Sequence, residues 1–478
     1  MARRQNDKES TMSENHYNRR DFMKIAGAAT AVTALAAAGC SDKESRSRGG
    51  TMDLPTGEMT YRKAKNGDII SLLGFGMMRL PTKDGKSARE TDGEIDQDMV
   101  NSLIDEALKY GVNYFDTSPA YCKGKSEASL GIALKRHPRD KYYIATKLSN
   151  FAESTWSREE SLKIYEKSFK ELQVDVIDYM LLHGIGMGDD GMKVFNARYI
   201  DNGMLDFLLE ERKKGKIRNL GFSYHGDIAV FDHALAMDVD WDFVQIQMNY
   251  VDWKHAKEVN ERNTNAEYLY SELEKRNIPA IIMEPLLGGR LAHLENRKAL
   301  NKLKAVDPEA TPAMWAMRYA GHFPNILTVL SGMTFREHLR ENLRTYSPHK
   351  PLSQQELDLL EDVAQTMLSY KTIPCNTCQY CMPCPYGLDI PSIFVHYNKC
   401  INEEKYITDQ SDEKYIQARR EFLIGYDRSV PRLRQADHCI GCNQCSPHCP
   451  QRIDIPKEMQ RIDRFVEMLK RNDGKGHS

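Results

Sequence analysis

Tyr142-Tyr143-Ile144-Ala145-Thr146-Lys147 is followed by an amphipathic stretch over residues 162–172. Next comes Val176-Ile177-Asp178-Tyr179-Met180-Leu181-Leu182-His183. Two short apolar runs thus flank a helical pattern, and each run ends on a residue able to hold a proton. Such runs suit strands covered on both faces, which belong to parallel sheets. The same alternation continues on either side. Further apolar runs span 69–75, 112–116, 217–223, 243–249, 278–284 and 326–332, with helical patterns at 96–110, 203–214 and 336–345. Eight buried strands, most followed by a helix, predict an α/β architecture closed as a (β/α)8 TIM barrel. An open doubly wound sheet would carry a glycine-rich fingerprint after its first strand, and Gly74-Phe75-Gly76 does not continue into one.

In such barrels chemistry gathers at the C-terminal ends of the strands. The second strand finishes Asp116-Thr117-Ser118-Pro119-Ala120-Tyr121, the third on Lys147 and the fourth on His183. Three consecutive strands therefore bring Asp116, Tyr121, Lys147 and His183 to one rim. A tyrosine titrates near 10 and is a poor acid–base catalyst at neutral pH. A neighbouring ammonium favours the phenolate, and a carboxylate can hold that ammonium in place. Asp116, Lys147 and Tyr121 thus read as a proton relay, with His183 orienting a carbonyl.

Over residues 59–347 this pattern resembles the aldo/keto reductase family, whose catalytic Asp, Tyr, Lys and His match these four positions in order and strand placement. The resemblance implies hydride transfer between a nicotinamide cofactor, NADP or NAD, and a small-molecule carbonyl or alcohol substrate, with Tyr121 giving or taking the proton. It also implies a cofactor pocket that includes Ser223, Gln245, Met283 and Asn342. Tyr224 stands where the family has an Asn, and Met283 where it has a stacking aromatic residue. Gly332 and His338 replace the Lys and Arg that usually grip a 2′-phosphate, with Arg336 as a substitute. NADP, NAD or no freely exchanging nucleotide all remain open.

Of 11 cysteines, eight fall into two runs. Cys375-x-x-Cys378-x-x-Cys381-x-x-Cys384-Pro385 is one residue short of the bacterial ferredoxin spacing, which Cys439-x-x-Cys442-x-x-Cys445-x-x-x-Cys449-Pro450 matches. In two-cluster proteins the last cysteine of each run ligates the other cluster. This assigns Cys375, Cys378, Cys381 and Cys449 to one [4Fe–4S] cluster, and Cys439, Cys442, Cys445 and Cys384 to a second. Cys384-Pro-Tyr-Gly-Leu-Asp-Ile-Pro391 echoes Cys449-Pro-Gln-Arg-Ile-Asp-Ile-Pro456, as expected of a repeated unit. The charged helix formers between the runs make the segment resemble a mainly α-helical dicluster ferredoxin domain. Zinc sites and disulfides do not use this spacing. Cys400 and Cys122 read as packed thiols.

At the N-terminus, Asn18-Arg19-Arg20-Asp21-Phe22-Met23-Lys24 precedes an Ala-rich apolar stretch. It resembles a twin-arginine export signal, a route that carries folded proteins with their cofactors. Ala37-Ala38-Gly39-Cys40 resembles a lipoprotein cleavage site, so the expected location is the periplasm or the outer side of the cytoplasmic membrane, anchored through Cys40. The chain of 478 residues is 28% charged with net charge −2, and it shows no phosphate loop, zinc-protease motif or nucleic-acid signature. Its expected division is a signal at 1–40, a linker at 41–57, the barrel at 58–347, a helical connector at 348–372, the cluster domain at 373–470 and a tail at 471–478. The leading reading is an exported oxidoreductase whose electrons pass through two clusters to a redox partner. The alternative is an electron-transfer protein whose barrel is an inactive docking scaffold.

Overall fold

The apolar runs become the strands of a closed parallel barrel. The computed structural model describes residues 55, 57–187, 190–259, 263–449 and 451–471. The expected signal, Cys40 and most of the linker lie outside these residues, as do Pro450 and the tail from 472 onward. The barrel strands are β3 (Leu73–Gly76), β4 (Tyr114–Asp116), β5 (Tyr143–Leu148), β6 (Ile177–Ile185), β7 (Ile217–Tyr224), β8 (Phe243–Gln247), β9 (Ala280–Met283) and β10 (Ile326–Ser331). They follow chain order, and β10 closes on β3. Every residue of β4, β6 and β9 is buried, which explains their unbroken apolar character.

The run at 69–75 divides. Its first half, β2 (Ile69–Ser71), pairs antiparallel with β1 (Tyr61–Lys63). Asn113 enforces the break: its Oδ1 accepts the Ser71 N–H (2.8 Å), while Ser71 Oγ accepts the Asn113 N–H (3.0 Å). Because Asn113 leads into β4, this clasp fixes the hairpin at the N-terminal end of the barrel. The opposite rim is left for the site. Inside the barrel Tyr114, Tyr179, Phe243 and Ile281 pack together, and a larger core fills the space between strands and helices.

Helix starts follow their caps. Asp96 Oδ1 accepts the Met99 N–H (3.0 Å) ahead of Gln97–Lys109, and Ser353 with Glu356 forms a capping box ahead of Gln354–Leu368. The helix Gln354–Leu368 falls in the expected connector, yet it packs against Arg297–Val306 of the barrel in a shared apolar core. The cysteine segment has a core of its own, built from Ile390–Asn402, Tyr415–Ser429 and Ile455–Arg471.

Candidate active site

The four expected rim residues converge. Register sets Asp116 beside Ala145 and Lys147 beside Leu181, so the ends of β4, β5 and β6 stand side by side. Lys147 Nζ donates to Asp116 Oδ1 (2.6 Å) and to the Thr117 carbonyl (2.8 Å). Both side chains are buried, so the charges must compensate one another. Tyr121 opens a short turn whose Cys122 and Lys123 adopt left-handed φ (50° and 54°), and this turn swings the phenol back over the strand ends. Lys147 Nζ lies 4.8 Å from the Tyr121 ring centroid, and the Tyr121 and His183 rings meet edge-on at 5.9 Å.

Burial pushes Asp116 up and Lys147 down, each opposed by the other's charge. Burial also holds Tyr121 well above its ordinary value, and Asp116 and Tyr380 add to the shift. The expectation that Lys147 draws the phenol toward neutrality is not met. The ammonium sits over the ring face with its charge already shared with Asp116, so burial wins. Tyr121 is therefore a protonated donor. His183 is held well below its ordinary value, first by burial and then by Lys147 and Arg198, so it is neutral.

Several supporting residues escaped the sequence reading. His183 Nδ1 lies 2.6 Å from Ser149 Oγ and 3.3 Å from Ser118 Oγ, which leaves Nε2 as the ring nitrogen free for a ligand. Arg198, from the π-turn Asn196–Ile200, is fully buried and donates to the His183 carbonyl (2.7 Å) and Tyr199 Oη (2.7 Å). The position of Ser149, two residues beyond Lys147 and just past the end of β5, was the available signal for it. Nothing in sequence marked Arg198.

A cavity of about 750 Å³ opens beside this group. Asp116, Tyr121, Gln245, Met283 and Asn342 line it. Gln245 Oε1 is buried and has no partner among the described residues, an acceptor that a ligand amide would satisfy. Asn342 donates to Ser331 Oγ (2.9 Å). Two expected residues are not brought in. Ser223 Oγ accepts the Gly184 N–H (2.8 Å), and Arg336 is held by Ser102 and Glu106 on the helix Gln97–Lys109. Gln245 and Asn342 thus face the cavity with polar groups, while the hydrogen bonds of Ser223 and Arg336 go to other parts of the barrel.

The cysteine segment covers the same rim. Asn376 packs on Gly288, where a Cβ would come within 2.1 Å of the Asn376 Cβ. Arg290 donates to Thr372 (3.3 Å), Arg452 to the Gly186 carbonyl (3.1 Å), and the Arg89 guanidinium lies 5.1 Å from the Tyr380 ring centroid. Cys375, Asn376 and Thr377 thereby line the cavity together with Tyr121.

The described cysteines are free thiols. Burial, reinforced by neighbouring thiols, pushes Cys375 and Cys381 up to about 12. Both feel Cys378 and Cys449, while Cys445 feels Cys384 and Cys439. The last cysteine of each run therefore lies with the other run. The backbone repeats as well. Thr377 and Gln379 in the first run match Gly441 and Asn443 in the second, all with left-handed φ; Gly387 and Arg452 repeat this after each final cysteine. Such turns aim N–H groups inward, and the Thr377 N–H lies 3.4 Å from Cys375 Sγ. Among the described residues no three Cys, His, Asp or Glu side chains close on a point as a single ion would require.

Comparison with known proteins agrees with this geometry. The Aldo/keto reductase family model matches residues 72–365, and the TAT (twin-arginine translocation) pathway signal sequence model matches residues 16–36, which marks the chain for export across the cytoplasmic membrane. L-galactose dehydrogenase of Arabidopsis thaliana is 31% identical over 157 residues, a match spanning 32% of this chain and 44% of that protein. NADH-specific methylglyoxal reductase of Escherichia coli is 24% identical over 322 residues, spanning 58% of this chain and 90% of that protein. The aldo-keto reductase AKR11C1 from Bacillus halodurans shares the fold, with TM-score 0.50 and 22% identity over 65% of this chain and 97% of its own. The barrel, its match over more than half of the chain and the rim it presents place this protein in the aldo/keto reductase family of oxidoreductases.

Proposed function

We propose that this chain is an exported oxidoreductase that interconverts a small carbonyl compound and its alcohol, with electrons relayed by two [4Fe–4S] clusters. The observation that carries this reading is the shared cavity, which Tyr121, Asp116 and Cys375 all line. Cys375, Cys378, Cys381 and Cys449 would hold the cluster nearer the barrel, and Cys439, Cys442, Cys445 and Cys384 the outer one. When bound, the nicotinamide would exchange a hydride with the carbonyl carbon, and the clusters would move electrons singly. The protein's own part is proton management. Tyr121, kept protonated by burial, gives its proton to the carbonyl oxygen. Lys147, fixed by Asp116, stabilises the phenolate left behind, and neutral His183 donates a hydrogen bond that orients the carbonyl. The Asn376–Gly288 and Arg452–Gly186 contacts would hold the cysteine segment over the rim and limit the entry of water. The name of the Escherichia coli relative points to NADH and a small aldehyde as first ligands to try. Lipidation at Cys40 would keep the chain on the outer side of the membrane.

A second reading, an inactive barrel serving as a docking scaffold, is favoured by the withdrawal of Ser223 and Arg336 from the cavity. One preparation separates the two. Anaerobically purified protein should carry about eight irons per chain with iron–sulfur absorbance, and it should bind NADH or NADPH. Iron without nucleotide binding would favour the scaffold, and protein lacking iron when purified anaerobically would overturn the cluster assignment.

A further inference from the structure

Arg79 follows β3 and lines the cavity, partly buried. Its guanidinium donates to the Gly288 carbonyl (3.0 Å). Among the described residues no carboxylate lies within 4.0 Å of it; Glu284, Glu90 and Cys378 act only at longer range, and Arg89 adds a second cation nearby. A guanidinium carries five donors and never gives up its charge, so one hydrogen bond to a carbonyl leaves both charge and donors free for an anion. Burial already pulls Arg79 below its ordinary value, as expected of a cation short of compensation.

Its location indicates which anion. Gly332, just after β10, has no side chain, and the Arg79 stem fills the space a side chain would use: a Cβ there would lie 3.1 Å from Arg79 Cδ and 3.3 Å from its Cβ and Cγ. Arg79 is also close enough to His338 to lower the affinity of that imidazole for a proton. Gly332 and His338 are the two positions at which this chain lacks a phosphate-gripping cation. A third residue, from another loop, thus brings a guanidinium between them.

We propose that Arg79 is the phosphate-binding residue of this cavity, taking the role vacated at positions 332 and 338 and gripping a phosphate of the nicotinamide dinucleotide. The proposal rests on the nucleotide-binding reading above. Bidentate pairing suits a phosphate oxygen pair, and the bond to the Gly288 carbonyl ties the grip to the loop that Asn376 covers. The phosphate has two sources, the 2′-phosphate of NADPH or the diphosphate common to NADPH and NADH.

The test is direct binding of NADPH and of NADH to the anaerobically purified full chain, wild type against Arg79→Met and Arg79→Lys. Iron content and cluster absorbance serve as the check on folding. Arg79→Met should weaken binding by roughly 10- to 100-fold, and Arg79→Lys should recover part of the loss. Loss for NADPH alone assigns the 2′-phosphate, and equal loss for both assigns the diphosphate. Unchanged binding of both nucleotides to Arg79→Met would overturn the proposal while leaving the nucleotide reading intact. Failure of wild-type protein to bind either one would overturn that reading and the proposal with it.

Discussion

At the barrel rim, Asp116, Lys147 and His183 are buried, and each is tied to a partner by protein atoms alone. In the cysteine segment the thiols sit on left-handed turns at the edge of a small helical core, and Cys442 is exposed. The first region is finished by folding. The second collects eight free thiols in two short runs, where burial raises Cys375 and Cys381. The difference teaches that the rim's geometry is set by packing between neighbouring strand ends, whereas that of the cysteine loops is set by tight left-handed turns. The two meet at Gly288 and Asn376, so a disturbance on one side should be legible on the other.

The largest effect should come from the rim. Tyr121→Phe is expected to lower carbonyl reduction by roughly 10²- to 10⁴-fold, with iron content and melting temperature unchanged. Steady-state rates on small aldehydes check this, and activity near wild type would remove Tyr121 from the chemistry. Next in size are the crossed cysteines. Cys449→Ser should perturb the cluster facing the barrel, and Cys384→Ser the outer one, so that electron paramagnetic resonance shows two distinct losses. Identical spectra from the two variants would break the crossed assignment.

The seam between the regions should respond more modestly. Gly288 has φ +69°, and any Cβ there meets Asn376. Gly288→Ala should therefore cost about 1–3 kcal/mol in unfolding experiments and shift the spectrum of the inner cluster before that of the outer one. A change confined to the outer cluster would contradict the docking described here. The smallest effect is on pH-dependent stability. Burial holds His349 and His396 down to about 4 and His183 well below its ordinary value. Between about 6.5 and 4 the unfolded chain takes up protons that the native chain refuses, so stability should fall as pH falls through that window. Melting temperature should drop by a few degrees from pH 7.5 to pH 5, and His396→Gln should lessen the drop.

Much of this was readable in the residues. The eight apolar runs located the barrel strands to within a few positions because strands buried on both faces have no polar alternation to blur them. Asp116, Lys147 and His183 were legible because strand ends in a barrel share one rim, and the repeat of the two cysteine runs because Cys-Pro and Asp-Ile-Pro recur at the same spacing in each. The division of 69–75 was not legible, since Ser71 and Asn113 meet only in three dimensions. Arg198 was hidden for a similar reason: an arginine in a polar helical stretch reads as solvated until the π-turn buries it. Arg336 and Ser223 sit at the expected places in the chain. Their hydrogen bonds go elsewhere, to Ser102 and Gly184, and competition between partners leaves no trace in a single sequence. The seating of the cysteine loops on the barrel rests on contacts such as Arg452 with Gly186, far apart in the chain.

The coupling of these two regions is tested most directly by watching the iron–sulfur absorbance of anaerobic, oxidised protein while small alcohols are added with NAD⁺ or NADP⁺. The coupling requires that substrate bleaches the clusters in wild-type protein and fails to do so in Tyr121→Phe at equal iron content. Bleaching at the same rate in both, or none in wild-type protein that holds its full iron, would contradict it.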